Sequence, residues 1–237
     1  MDTPEHVCKN RENSLAAESP AALPAVVPIR SLTMPEPSTS HFDARAESWD
    51  DPQKIERAER VADAIRRAVP LKRSMKALEY GAGTGLLSFC LRDALGPITL
   101  ADSSAGMRAV AERKIAAANA LDLRAIDLDL LRDPVPEERY DLIFSMMTLH
   151  HVPDVPRVLA AFHAMLAPGG WFCFADLDAE DGSFHGPDVD VHHGFERDTV
   201  RSWLSAAGFG EVSVGDCCRL EHHHRGYSVF LAAARKP

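Results

Sequence analysis

From Ala77 onward the chain alternates short apolar runs with segments of helical period, and few architectures accept such an alternation. The runs near Ala77–Tyr80, Ile98–Ala101, Leu123–Ile126, Leu142–Ser145 and Trp171–Ala175 read as strands, and Leu86–Ala94, Ala105–Ala118 and Pro156–Leu166 between them as helices. Strands separated by helices at this spacing predict an α/β fold, a parallel sheet with helices on both faces. Upstream, Asp50 or Asp51 caps a helix with Pro52 in its first turn. Ile55, Ala58, Val61, Ala62, Ile65 and Val69 then recur at helical spacing until Pro70, giving the helix a face that covers the sheet. Downstream, Asp198–Ala207 reads as a helix stopped by Gly208, followed by strands at Val212–Val214 and Ser228–Ala232. These two are close enough to pair antiparallel. The expectation is a seven-stranded, mostly parallel sheet whose last strand runs antiparallel.

Length and charge narrow the possible partners. A chain of 237 residues suits one α/β domain, expected over residues 41–237. Residues 1–40, rich in Pro, Ala, Ser and Glu without an apolar period, are expected to form a flexible, disordered tail. Thirty-five acids against twenty-six Lys and Arg give a net charge of -9, and the bases are scattered among acids, so nucleic acid is not an expected partner. No apolar run approaches the roughly 20 residues that cross a bilayer. The five cysteines lack metal-type spacing, and the first thirty residues lack secretory or transit character; the expected location is the cytoplasm.

The most informative stretch is Ala77-Leu78-Glu79-Tyr80-Gly81-Ala82-Gly83-Thr84-Gly85, a strand entering a glycine-rich turn that opens a helix. Gly81, Gly83 and Gly85 remove Cβ atoms where a backbone turns sharply and approaches a ligand. The spacing is Glu-x-Gly-x-Gly-x-Gly, with the third glycine one residue earlier than in the dinucleotide pattern. A pyrophosphate gains nothing from an acid at Glu79, whereas a methionine ammonium or a sulfonium is attracted to one. Asp102, ending the second strand about 20 residues beyond the first glycine, is placed to accept hydrogen bonds from both hydroxyls of a ribose.

With these residues the sequence from His41 to Lys236 resembles the class I S-adenosylmethionine-dependent methyltransferases, in particular those with a methyltransferase-11-type domain. The matching signposts are Glu79 to Gly85, Asp102-Ser103-Ser104-Ala105-Gly106-Met107, Asp127-Leu128, Tyr140-Asp141-Leu142-Ile143, Leu149-His150-His151-Val152 and Leu166-Ala167-Pro168-Gly169-Gly170. The resemblance implies a Rossmann-like sheet and S-adenosyl-L-methionine as cofactor. It implies contact of Asp127 with the adenine amino group, and a methionine side lined by Ser145, Met146 and Met147. The stretch His41 to Asp50 is similar to the aromatic and acidic motif that begins the domain, where Trp49 would close over the cofactor. The expected cofactor site is thus Trp49, Glu79, Gly81, Ala82, Gly83, Gly85, Asp102, Ser103, Met107, Asp127, Leu128, Ser145 and Met146, with Met107 packed against adenine.

Methyl transfer from a sulfonium is an in-line displacement, so a protein chiefly aligns the nucleophile and excludes water. A general base helps where the acceptor loses a proton. The acceptor is expected to be a small molecule bound by the loops after the fourth and fifth strands. His150 is the candidate base, because an imidazole takes up a proton near neutral pH; Asp176 is the candidate to orient the acceptor. No metal is expected, since three consecutive histidines, His222 to His224, cannot all face one ion and the acidic loop after strand five lacks a ligand pattern. Two rival readings are a non-catalytic S-adenosylmethionine-binding regulatory module and a nicotinamide-dependent oxidoreductase, the latter disfavoured by the glycine spacing.

Overall fold

The alternation of strands and helices takes shape in a computed structural model that describes Met1 and residues 39–186, 189–222 and 224–237. The expected tail, residues 1–40, falls almost wholly outside the described residues. The strands are β1 (Ala77–Tyr80), β2 (Ile98–Asp102), β3 (Leu123–Asp127), β4 (Tyr140–Met146), β5 (Leu166–Leu177), β6 (Gly210–His222) and β7 (Arg225–Arg235). They form one sheet in the order β3-β2-β1-β4-β5-β7-β6. The first five run parallel, and β7 lies antiparallel between β5 and β6. This is the Rossmann-like arrangement with an antiparallel last strand.

Side chains alternate across a strand, and the core follows that period. Ala77, Leu142, Phe144, Cys173 and Ala175 enter one buried cluster, while their neighbours Leu78, Ile143, Phe172 and Phe174 enter another. Helices α2 (Pro52–Ala68) and α3 (Leu86–Leu91) contribute to the first cluster, and α5 (Val155–Met165) and α6 (Arg197–Ala206) to the second; α1 (Ser40–Arg45) and α4 (Ala105–Ala117) complete the set among the described residues. Of the two candidate caps of α2, Asp51 is the one used, accepting from Lys54 N at 2.8 Å. Ala58, Val61, Ala62 and Ile65 are buried as the period requires, but Ile55 in the first turn is 39% exposed.

Strands β5, β6 and β7 and helix α3 differ in extent from the sequence expectation. β5 begins at Leu166, ahead of the expected start at Trp171, because Gly169 N donates to Lys236 O and Lys236 N to Gly170 O, extending the ladder with the end of β7. β6 and β7 span 13 and 11 residues, far beyond Val212–Val214 and Ser228–Ala232. β6 is the edge strand, and the exposed Asp216, Arg219 and Glu221 with a bulge between Asp216 and Cys218 hide its alternation in the sequence. α3 stops at Leu91 instead of Ala94, where the chain turns with Ala94 N on Leu91 O. Among the described residues no helix is long and apolar enough to cross a membrane.

Candidate active site

The parallel strands bring their carboxyl ends to one edge of the sheet, and the strand order reverses between β1 and β4, the place where α/β sheets receive ligands. The glycine loop opens there. Gly81 N and Ala82 N donate to Ala101 O at 2.8 and 3.0 Å, and Gly83 N donates to Asp102 Oδ2 at 2.7 Å. A Cβ on Gly81 would stand 2.1 Å from Thr148 Cγ2, so only glycine lets the loops after β1 and β4 meet. At Gly83, where φ is +55°, the nearest atoms to such a Cβ are Trp49 Nε1 at 3.7 Å and Met107 Sδ at 3.9 Å. That face of the loop is open, bounded by the two side chains expected to enclose a cofactor.

Asp102 ends β2 with Oδ2 on Gly83 N and Oδ1 accepting Ser104 N at 2.8 Å. Burial raises its pKa, opposed by these two N–H bonds and by Arg108. A carboxylate offers about four acceptor sites; with two taken, capacity remains for two hydroxyls. Ser103 beside it is half-buried, Met107 is buried in the first turn of α4, and Leu128 joins the core behind. The sheet register sets Asp127 opposite Asp102. Its exposed carboxylate pairs with Arg108 at 3.1 Å and Arg132 at 3.5 Å, so an adenine amino group would share it with these arginines.

Two predicted residues have side chains turned to other work. Glu79, reasoned from charge to face an ammonium, is 2% exposed and accepts from Ser88 N at 3.0 Å and from Ser88 Oγ. It does for α3 what the glycine at the N-cap, Gly85, has no side chain to do. Burial pushes its pKa up to about 8 against the opposing Ser88 bonds. Ser145, also buried, donates to Tyr80 O at 2.8 Å and ties β4 to β1. Met146 is half-buried, and Met147 next to it takes a left-handed φ of +53° with its N–H on Ala175 O at 2.8 Å. A non-glycine residue held in that region costs roughly 1–3 kcal/mol and marks a loop whose course is dictated by its neighbours.

The segment before α2 lies against the glycine loop. Asp43 Oδ1 accepts from Ser104 Oγ at 2.6 Å and from Gly106 N at 2.8 Å, at the N-terminus of α4. The Ser104 bond foremost holds the Asp43 carboxyl below its usual range. Asp50 accepts from Thr84 Oγ1 and pairs with Lys114 at 2.7 Å. Between these anchors Phe42 packs edge-on to Trp49, with ring centres 5.8 Å apart, and to His151 at 5.2 Å. Asp43, inside the motif from His41 to Asp50 but not among the expected site residues, is thus the anchor that fixes this segment on the start of α4.

Beyond β4, the 3₁₀ turn Leu149–His151 presents two histidines. His150 Nδ1 is 2.6 Å from Asp176 Oδ1, and His150 N donates to Asp176 Oδ2 at 3.2 Å. Both side chains are buried, at 1% and 0% exposure. Asp176 Oδ1 also accepts Leu177 N, so both of its oxygens act as acceptors and the Nδ1 proton lies toward Asp176. His150 Nε2 is buried without a hydrogen-bond partner among the described residues. Its ring meets those of His151, 4.2 Å away, and His185, 4.9 Å away. Burial first, then the neighbouring imidazoles, pushes His151 down to about 2; burial and His150 push His185 to about 4. A line of rings, His150, His151, Phe42 and Trp49, thus runs from the buried pair to the glycine loop.

The acids after β5 hold the loop in place. Arg197 grips Asp178 with two bonds of 2.6 and 2.7 Å, and Arg225 pairs with Asp181 at 3.0 Å. Glu180 accepts Phe184 N at 3.2 Å, and Phe184 packs on Tyr227. These contacts put His185 beside His150. His192 N donates to His150 O at 2.9 Å, joining the same loop to the turn after β4.

The family model described as a methyltransferase domain matches residues 54–214. The malonyl-[acyl-carrier protein] O-methyltransferase of Geobacter sulfurreducens is 32% identical over 173 residues, covering 62% of this chain and 60% of that protein. The ubiquinone biosynthesis O-methyltransferase of Bordetella bronchiseptica is 28% identical over 149 residues, covering 60% of this chain and 61% of that protein. The chain therefore spans little more than half the length of the curated relatives it matches. Among solved structures, the DhpI–SAH complex matches with a TM-score of 0.66 at 24% identity over 85% of this chain and 96% of that one, a likeness of fold.

Proposed function

This chain belongs to the methyltransferase-domain family, and from that premise we propose that it transfers the methyl group of S-adenosylmethionine to an oxygen of a small-molecule acceptor. The observation that carries the reading is the union at one sheet edge of the open glycine loop, Asp102 and the buried His150–Asp176 pair. When bound, S-adenosylmethionine supplies an electrophilic methyl group on a sulfonium. Asp102 would hold the ribose hydroxyls, Gly83 would give the backbone room, Met107 and Asp127 would flank the adenine end, and Trp49 would cover the loop.

On the acceptor side the chain's task is to place a nucleophile and remove its proton. Asp176 fixes the His150 ring through Nδ1, which leaves the Nε2 lone pair to accept a proton from an acceptor hydroxyl. The half-buried His151 and His185 beside it limit water at that atom. An oxygen acceptor agrees with the two relatives named above, both O-methyltransferases.

Calorimetric titration with S-adenosylmethionine, S-adenosylhomocysteine and NADH tests the cofactor, and release of S-adenosylhomocysteine across a panel of hydroxylated and carboxylated small molecules tests the acceptor. Binding of the first two ligands alone, with turnover on an oxygen acceptor, is expected. Tight binding without turnover on any acceptor would make the chain a binding module, and binding of NADH alone would overturn the assignment.

A further inference from the structure

Methyl transfer uses only one nitrogen of the histidine cluster, and the cluster is built for more. His150 and His151 come from the turn after β4 and His185 from the loop after β5, and one ligand atom from each lies within 4.8 Å of the others. His150 is almost wholly buried and held by Asp176 at Nδ1, so that Nε2 projects as a fixed donor. A carboxylate on the far nitrogen is the usual support of a metal-ligating imidazole, setting its tautomer and orientation. The buried Nε2 atoms of both His150 and His185 lack a hydrogen-bond partner in the described structure. Buried polar atoms are otherwise nearly always paired, so two orphans in one cluster mark a place for an occupant.

We propose that His150, His151 and His185 bind a single divalent transition-metal ion of the zinc type. Three imidazoles suit zinc, copper or nickel over magnesium or calcium, which take oxygen ligands. Nitrogen–zinc bonds of roughly 2.0–2.1 Å bring ligand nitrogens to about 3.4 Å in a tetrahedral site, so the rings close by at most about 1.5 Å. His151 and His185 are half-buried and can make that adjustment, with the fourth position left to water or an acceptor oxygen. The consequence for catalysis rests on the reading given under Proposed function: an ion on His150 Nε2 occupies the lone pair that takes the acceptor's proton, so the ion inhibits methyl transfer. His222 and His224, the rival pair from the histidine run, lie at the end of β6 and in the turn after it.

The test is titration of the metal-stripped full chain, made without a histidine tag, by zinc in calorimetry and by cobalt in visible absorption. One ion per chain and the strong ligand-field band of a four-coordinate cobalt site are expected. His185→Gln and His151→Gln should each weaken zinc at least about tenfold and diminish the band, whereas His222→Gln with His224→Gln should leave both unchanged. Melting curves of the variants separate loss of ligand from loss of fold. No stoichiometric binding, or binding that follows His222 and His224, overturns the site. Stoichiometric binding through the cluster without inhibition of turnover would uphold the site and refute the role of His150 as base.

Discussion

Replacing Glu79 by glutamine isolates a buried acid whose ionisation is set by the fold. Its carboxyl has a folded pKa of about 8 against an ordinary value of 4.5, with burial as the main cause. The folded value is raised, so the folded chain keeps a proton that the unfolded chain has released. The stability tied to this group is complete below the unfolded value and is lost as pH rises through the folded one. At about 1.4 kcal/mol for each pH unit separating the two values, this group alone lowers the stability of the wild type by about 4 kcal/mol between pH 5 and pH 9. Glutamine matches the protonated acid in shape, still accepts from Ser88 N, and cannot ionise. In the cofactor-free protein, Glu79→Gln should be close to wild type at pH 5 and more stable by about 4 kcal/mol at pH 9. Urea unfolding at several pH values reads this directly, because every other titrating group cancels in the difference. A stability difference that stays constant across the range would refute the reasoning, since Glu79 would then ionise normally inside the fold.

The remaining predictions concern the site. Gly83→Asp should weaken S-adenosylmethionine by more than about 100-fold with little change in melting temperature, because an aspartate tolerates a positive φ and no atom lies within 3.7 Å of its Cβ, yet its bulk and charge fill the open face; wild-type affinity would remove the loop from the site. His150→Gln should lower kcat by about 10²- to 10⁴-fold, with Asp176→Asn acting in the same direction, while calorimetry finds the affinity for S-adenosylmethionine unchanged; unaltered turnover would clear the pair of a catalytic part. Asp43→Ala removes a carboxylate from the N-terminus of α4, and the freed segment should cost S-adenosylmethionine about five- to tenfold in affinity, or roughly 1 kcal/mol; an unchanged dissociation constant would show that the Trp49 segment does not cover the cofactor.

What the sequence determined by itself was local or periodic. The alternation of strands with helices dictated a parallel sheet, since each element's apolar period says which faces it must bury. The glycine loop and Asp102 were legible because strand, turn and helix follow one another within a few residues, and the loop's backbone then reaches across only to the end of β2. The length of edge strand β6 beyond Val212–Val214 escaped notice for the opposite reason: one face meets water, and its polar residues and bulge blur the period that burial would have imposed. The partners of the polar side chains were decided by tertiary structure alone. His150 meets Asp176 because β4 and β5 are neighbours in register, and Asp43 meets Ser104 across 61 positions of sequence because the first helical segment folds over α4. Glu79 looked like a ligand for a cation until the start of α3 came down upon it with Ser88. Likewise His185 joined His150 and His151 only through the loop that Arg197 and Arg225 pin in place. A residue type states what a group can do, but burial and the neighbours set by packing decide whether its charge, its proton and its lone pair are free to do it.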